Sequence, residues 1–314
     1  MTDFSCVFDA AIVGAGPAGL AAAIYLGRYL RPTLLLNEKE PSTHWHRPTA
    51  HNVLGFPAGI LRNQLLEWGQ AHVAQYPCVV GRLATIERIT REQELFALCD
   101  ATGQTYRARS IILATGVEYE LPALPDIHAY AGHSIYHCPE CDGFKCLDQH
   151  VAIIGHGPGT AELALRLLVW TRHLTILTHG HPPELNAEAA SKLAAQNIPI
   201  YTARITAIRG LPHEGLISGL ILENAPDVPC TAAFCNIPCT PPSDLYSQLG
   251  LEIHKGRWVK VDYRQQTNVP LCYAAGDIVA FAQTQLSVAM GQGATAAINL
   301  HQDLLPEELK LFSS

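Results

Sequence analysis

A buried strand that runs into a glycine-rich turn and then a helix occurs twice in this chain. The repeat predicts an α/β protein of two doubly wound, three-layer units. Length agrees, because 314 residues exceed one small core and two domains are the natural division. Composition agrees as well: 48% of residues are hydrophobic and only 16% charged, as in a well-buried sheet protein and unlike a disordered chain. A net charge of −7 without a basic stripe argues against a nucleic-acid partner.

The first unit opens on Ala10-Ala11-Ile12-Val13, an apolar strand, followed at once by Gly14-Ala15-Gly16-Pro17-Ala18-Gly19 and a helical run from Leu20 to Leu30. This is the Rossmann-like GxGxxG arrangement of FAD- and NAD(P)-binding domains, in its required context of strand, tight turn and helix. Gly14 permits the turn, Gly16 lets a pyrophosphate approach the backbone, and Gly19 lets helix and strand pack closely. The helix N-terminus then faces the phosphate charge. A second strand, Thr33 to Leu36, ends at Asn37-Glu38, where a ribose-binding acid belongs; Glu38 is the first choice and Asn37 the alternative. Ile111-Ile112-Leu113 forms a further strand that runs into Ala114-Thr115-Gly116.

The second unit repeats the pattern. Val151 to Ile154 is a strand, Gly155-His156-Gly157-Pro158-Gly159-Thr160 a glycine turn, the helix runs to about Thr171, and Leu174 to Leu177 is the next strand. Near the end of the chain, Cys272 to Ala275 forms another strand of the first unit and leads into Gly276-Asp277. Asp277 at such a strand end is placed to accept hydrogen bonds from a sugar or ribitol hydroxyl. The helical run Gln285 to Leu300 follows, with a small face (Ser287, Ala289, Gly291, Gly293, Ala294) suited either to a flat ligand or to close helix packing.

Among the ten cysteines, Cys6, Cys78, Cys99, Cys146, Cys230, Cys235, Cys239 and Cys272 are scattered among apolar residues and read as small core hydrophobes. Cys138-Pro139-Glu140-Cys141-Asp142-Gly143-Phe144 is different. A Cys-x-x-Cys pair is half of a zinc site or a redox dithiol. Zinc needs a second pair, for which Cys235 with Cys239, or the flanking His133 and His137, are the available residues. As a dithiol, the pair closes with little loop cost, and Asp142 is placed to exchange a proton with the leaving sulfur.

Taken together, the first GxGxxG, the Gly55-Phe56-Pro57 turn after Asn52, Ala-Thr-Gly at 114–116, Cys-x-x-Cys-Asp-Gly-Phe at 138–144 and Ala-Gly-Asp at 275–277 resemble the low-molecular-weight thioredoxin reductases over nearly the whole chain. The resemblance implies a discontinuous FAD domain, residues 1–124 and 244–314, with a second nucleotide-type domain, 125–243, inserted in it and carrying the dithiol. It implies a homodimer, a thioredoxin-like dithiol partner, and a role for Gln285, followed by Leu286, against the isoalloxazine ring. It also implies that Cys141 faces the flavin while Cys138 attacks the partner's disulfide. Dithiol oxidases of the same lineage usually have histidine where this chain has Asp142, which favours the reductase-type pattern.

The chain departs from NADPH-dependent members in the inserted domain. Where those carry a His-Arg-Arg clamp and a further arginine for the 2′-phosphate, this chain reads Leu177-Thr178-His179-Gly180-His181-Pro182-Pro183-Glu184, with no lysine or arginine between His173 and Ser191. The family's Gly-x-x-Pro-Asn run before the crossing back is here Ile237-Pro238-Cys239-Thr240-Pro241-Pro242. His156 and Pro158 lie inside the second glycine turn, and proline removes a backbone donor that a phosphate would use.

The expectation is therefore a FAD-dependent dithiol/disulfide oxidoreductase independent of NADPH, with ferredoxin, a quinone, oxygen or a second flavin as its other electron partner. In that respect the chain resembles diflavin-linked disulfide oxidoreductases, which hold a second FAD near the first; Trp45, in Thr43-His44-Trp45-His46-Arg47-Pro48, is the candidate wall for that ring. The alternatives are an NADPH-dependent thioredoxin reductase with an atypical clamp and a flavin-binding sensor without turnover. No secretory signal is expected, since Met1 to Ala10 carries two aspartates and no basic residue. The apolar stretch from Leu163 to Leu177 is interrupted by Arg166, Arg172 and His173, so a cytoplasmic protein is expected, with peripheral membrane contact left open.

Overall fold

The structure is a computed structural model; it describes residues 7–38, 49–236, 238–242, 244–281 and 283–310. Trp45, Cys6 and Ile237 lie outside the described residues.

The larger sheet has seven strands. Val79–Leu83, Thr33–Asn37, Phe8–Val13 and Thr105–Leu113 run parallel in that order, and Cys272–Ala274 joins the second half of Thr105–Leu113, also in parallel. An antiparallel pair, Leu95–Asp100 and Ile86–Glu92, continues the sheet from the first half of the same long strand. The central strands are apolar without alternation because both faces are covered. Ala11, Val13, Leu34, Leu36, Ile111 and Leu113 face a core closed by Phe96, Leu98, Leu251 and Ile278. Ala10, Ile12, Leu35 and Ile112 face the opposite core, built on Leu20, Leu26, Ala296 and Leu300.

Two helices make that second core. Pro17–Arg28 starts on a proline, which lacks the N–H that a first helical turn would leave unpaired. Leu286–Asp303 crosses it so closely that a Cβ on Gly293 would stand 2.0 Å from the Ala18 carbonyl oxygen. Of the small face expected on this helix, Gly293 therefore serves helix packing. The consequence for function is position: the crossing sets Gln285, the N-cap of Leu286–Asp303, at the carboxyl ends of the central strands.

The smaller sheet is parallel throughout, in the order Ile135–Tyr136, Ala232–Cys235, Val151–Ile154, Leu174–Leu177, Ile200–Tyr201. Helices Pro158–Leu167 and Ala187–Ala195 cover one face, and the hairpin Ile205–Leu211/Leu216–Leu222 the other. The helix after the second glycine turn ends at Leu167, before the expected Thr171. The chain leaves the helix there to lay Trp170 against the dithiol turn, where a Cβ on Gly143 would meet the indole at 2.6 Å. The chain passes between the two sheets twice, and the crossing strands Glu118–Tyr119 and Cys239–Thr240 pair antiparallel. Among the described residues, no helix is long and apolar enough to cross a membrane.

Candidate active site

A cavity of about 400 Å³ runs from the first glycine turn to the Cys138–Cys141 pair. Most of the residues singled out in the sequence meet there. Gly14, Gly16, Pro17 and Ala18 line one end with Asn37 and Glu38; Ala114, Thr115, Gly116, Gly276 and Asp277 line the middle; Asn52, Gln285, Leu286, Cys138 and Cys141 line the other end.

The glycine turn is tight for identifiable reasons. Gly14 has φ +107°, and a Cβ on it would lie 2.2 Å from the Ala114 carbonyl oxygen. Gly19 does not line the cavity. It sits beneath the turn, where a Cβ would be 1.8 Å from the Gly14 carbonyl oxygen, so its part is to let helix and strand close up. Gly276, at φ +84°, donates its N–H to Gln292 Oε1 at 2.8 Å, which holds the backbone beside Asp277. Burial pushes the Asp277 carboxyl up to about 6, while the Arg62 guanidinium pulls the other way. A half-desolvated carboxyl of this kind is matched to hydroxyl partners from a sugar or ribitol chain. Arg62 also lines the cavity, as the first residue of helix Arg62–Val73. Sequence reasoning missed it, since no motif surrounds it.

At the far end, Cys138 and Cys141 form a disulfide with Cα atoms 5.4 Å apart. Pro139 starts the single helical turn Pro139–Asp142 between them. The two sulfurs lie against Gln285: its Nε2 is 3.4 Å from Cys138 Sγ, and its Oε1 is 3.6 Å from Cys141 Sγ. Asn52 Nδ2 donates to the same Oε1 at 2.8 Å, fixing which way the amide points. Next to the disulfide, the His137 ring lies on Tyr119 of the crossing strand, with centroids 4.1 Å apart, and both rings line the cavity. No motif marks either ring in the sequence as a cofactor residue.

Asp142 is placed differently. Its side chain is 7% exposed, and its Oδ1 accepts from Lys145 Nζ at 3.0 Å. It is buried in the dithiol turn and does not line the cavity. Glu140, between the cysteines, is ion-paired with Arg166 of the helix after the second glycine turn. Cys146, Cys230, Cys235 and Cys272 are buried, free and inert in character, as the sequence suggested; burial pushes the thiol of Cys146 up to about 11 and those of the other three up to about 12. Cys78, Cys99 and Cys239 are half-buried and free.

The second glycine unit has its own geometry. His156, inside the turn, stacks on His181, in the loop after strand Leu174–Leu177, with centroids 4.4 Å apart and planes within 21°. The stack bridges the carboxyl ends of two neighbouring parallel strands, which is where a dinucleotide lies in such folds. Asn236 fills the space above the turn: its Nδ2 donates to Thr160 Oγ1 at 3.0 Å and would stand 3.0 Å from a Cβ on Gly159. Burial, Arg204 and His181 together lower the pKa of His179. The loop itself holds no lysine or arginine, as read from the sequence, but the fold brings exposed Arg204 alongside it, with its Cβ 3.9 Å from the Cβ position of Gly180.

Comparison with known proteins gives the same picture. Residues 8–293 match the family model described as pyridine nucleotide-disulphide oxidoreductase. The thioredoxin reductase of Streptomyces coelicolor is 27% identical over 303 residues, covering 94% of this chain and 93% of that protein. The NADH dehydrogenase of Bacillus subtilis is 28% identical over 304 residues; 95% of this chain is matched, but it spans only 59% of that longer protein. The solved thioredoxin reductase of Streptococcus pyogenes superposes with a TM-score of 0.88, covering 95% of this chain and 98% of that one; at 21% identity the likeness speaks for the fold. The chain belongs to the pyridine nucleotide-disulphide oxidoreductase family and has a thioredoxin reductase-like fold.

Proposed function

We propose that this enzyme passes electrons between an FAD held in the cavity of the larger sheet and the Cys138–Cys141 disulfide, and that NADPH is not its electron donor. The observation that carries the reading is a contrast between two sites of similar fold. The first glycine turn opens onto the cavity that ends at the disulfide. The second is spanned by the stack of His156 on His181, with Asn236 packed over its glycines. Exposed Glu184 adds a negative charge where a 2′-phosphate would need a cation.

The residues at the first site suit FAD. The glycine turn and the N-terminus of Pro17–Arg28 would take the pyrophosphate, Glu38 or Asn37 the ribose, and Asp277 the ribitol. Gln285, steered by Asn52, would help hold the ring end of the FAD beside the two sulfurs. Bound there, FAD supplies a two-electron carrier. This chain's residues hold the disulfide at its edge, keep the sulfurs in register through the Gln285 amide, and enclose both in a cleft built from two domains, residues 1–124 with 244–314 and residues 125–243. The partner is a protein dithiol of the thioredoxin type, and the working unit is a homodimer in the cytoplasm. Ferredoxin, a quinone or oxygen closes the electron balance at the flavin.

The flavin count separates two forms of this reading. One FAD per chain makes a single-flavin relay. Two per chain would set the second ring against the Tyr119–His137 pair at the dithiol end of the cavity.

A second reading, an NADPH-dependent reductase with an unusual clamp, is favoured by one observation: Arg204 stands at the edge of the loop that would receive the 2′-phosphate. Calorimetric titration of the FAD-loaded enzyme with NADP⁺ decides between them. The proposal expects no saturable heat up to millimolar nucleotide. Micromolar binding that is lost in Arg204→Ala would establish the second reading.

A further inference from the structure

We infer that Glu140, held by Arg166, is the carboxylate that takes the proton of Cys138 when the disulfide closes and returns it when the disulfide opens. The inference rests on the dithiol–flavin exchange proposed above, and extends it to a residue between the two cysteines.

The two carboxylates of the dithiol turn are differently disposed. Asp142 is buried, and its Oδ1 is occupied by Lys145 Nζ at 3.0 Å. Glu140 Oε2 lies 4.0 Å from Cys138 Sγ, within reach of a thiol S–H donor. Its other oxygen meets Arg166, and the Glu140 and Arg166 side chains are 45% and 44% exposed. Glu140 therefore lies at the outer edge of hydrogen-bond range from the sulfur on one side and is open to water on the other, as a proton carrier to solvent requires. Pro139 starts the helical turn that projects Glu140 in this direction, and the helix Pro158–Leu167 packed against it supplies the guanidinium. The arginine keeps the carboxylate in place and offsets part of its charge beside a thiolate.

The step balances. Closing the Cys138 Sγ–Cys141 Sγ bond breaks two S–H bonds and releases two electrons and two protons. The electron pair and the Cys141 proton pass to the flavin, and the Cys138 proton passes to Glu140 and on to water. Other charged groups near the site have stated places. Asp142 and Lys145 pair with each other, Glu162 precedes Arg166 by one turn on its helix, the His137 ring lies tilted against Tyr119, and Gln285, reaching in from the larger domain, is neutral.

The test is the alkylation rate of Cys138 in the anaerobically reduced, FAD-loaded enzyme at pH 7, read with iodoacetamide by mass spectrometry of the Cys138 peptide. This readout involves neither NADPH nor a protein partner, so it stands apart from the identity of the electron donor. A carboxylate next to the sulfur disfavours the thiolate, and the guanidinium relieves that effect. Glu140→Gln should raise the rate about three- to tenfold, and Arg166→Gln should lower it by a similar factor, both moderated by solvent exposure. Opposite shifts support the assignment, because a merely structural disturbance of the turn would move both variants the same way. Any other result, including no shift in either variant, overturns it. Both side chains are about half exposed, so neither substitution threatens the fold.

Discussion

The side-chain amide of Gln285 reaches from the N-terminus of the last long helix to within 3.4 Å of Cys138 Sγ, joining a residue of the larger domain to the disulfide carried by the smaller one. Asn52 fixes the orientation of that amide from a third segment. The disulfide is thereby held at the end of the cavity that opens from the first glycine turn, where the proposed FAD would meet it.

Gln285→Leu should therefore retain FAD while slowing reduction of the flavin by a dithiol. A loss of up to about a hundredfold is expected, the scale on which a reacting group displaced by about 1 Å loses rate. Stopped-flow absorbance of the flavin band measures it, with the flavin-to-protein ratio as the control for binding.

Cys138→Ser should abolish disulfide exchange with a dithiol protein while leaving the flavin spectrum in place. A sensor without turnover would instead keep every function that depends on partner binding alone. Exchange assays beside a binding titration separate the two.

Asp277 gives a pH dependence with a definite sign. Its pKa is raised from 3.8 to about 6 in the folded protein, so the native state holds a proton that the unfolded chain has already released. The associated stability is complete below pH about 4 and is lost as pH rises through about 6, on the order of 3 kcal/mol at most. Asp277→Asn should flatten the decline in apoprotein melting temperature across that window, and should weaken FAD retention by removing a hydroxyl partner. Thermal melts from pH 4 to 7 test the first part, and the flavin content after gel filtration the second.

Gly19→Ala should damage the flavin site without touching the flavin. The added methyl would overlap the Gly14 carbonyl oxygen, and backbone cannot step aside as a side chain can. A loss of about 3 kcal/mol is expected, the upper range for overpacking. Denaturant unfolding of the apoprotein measures it directly.

Much of this arrangement was legible in the sequence because its signals are local. The turn at Gly14 to Gly19, the strand ends at Gly116 and Asp277, and the dithiol itself each combine residue type with immediate neighbours, and all but Gly19 line one cavity. What escaped depends on tertiary approach. Arg62 reaches the cavity from a helix start with no motif around it. Arg204 comes beside Gly180 because Leu174–Leu177 and Ile200–Tyr201, separated in the chain by a helix, are neighbours in the sheet. Strand Ile86–Glu92 is hard to read because its exposed residues dilute the apolar pattern, whereas Leu95–Asp100 is apolar and no glycine motif adjoins it. The helix after the second glycine turn ends before its apolar character does: Val169 and Trp170 continue the pattern, but Trp170 packs on Gly143.

The most direct test of the central claim is anaerobic. The FAD-loaded enzyme is mixed separately with excess NADPH and with a reduced thioredoxin, and the flavin absorbance band is followed in time. The account predicts that NADPH leaves the band intact while the dithiol bleaches it through Cys138 and Cys141. Rapid bleaching by NADPH would contradict the account, and would mean that hydride still enters through the second glycine unit despite the stack of His156 on His181.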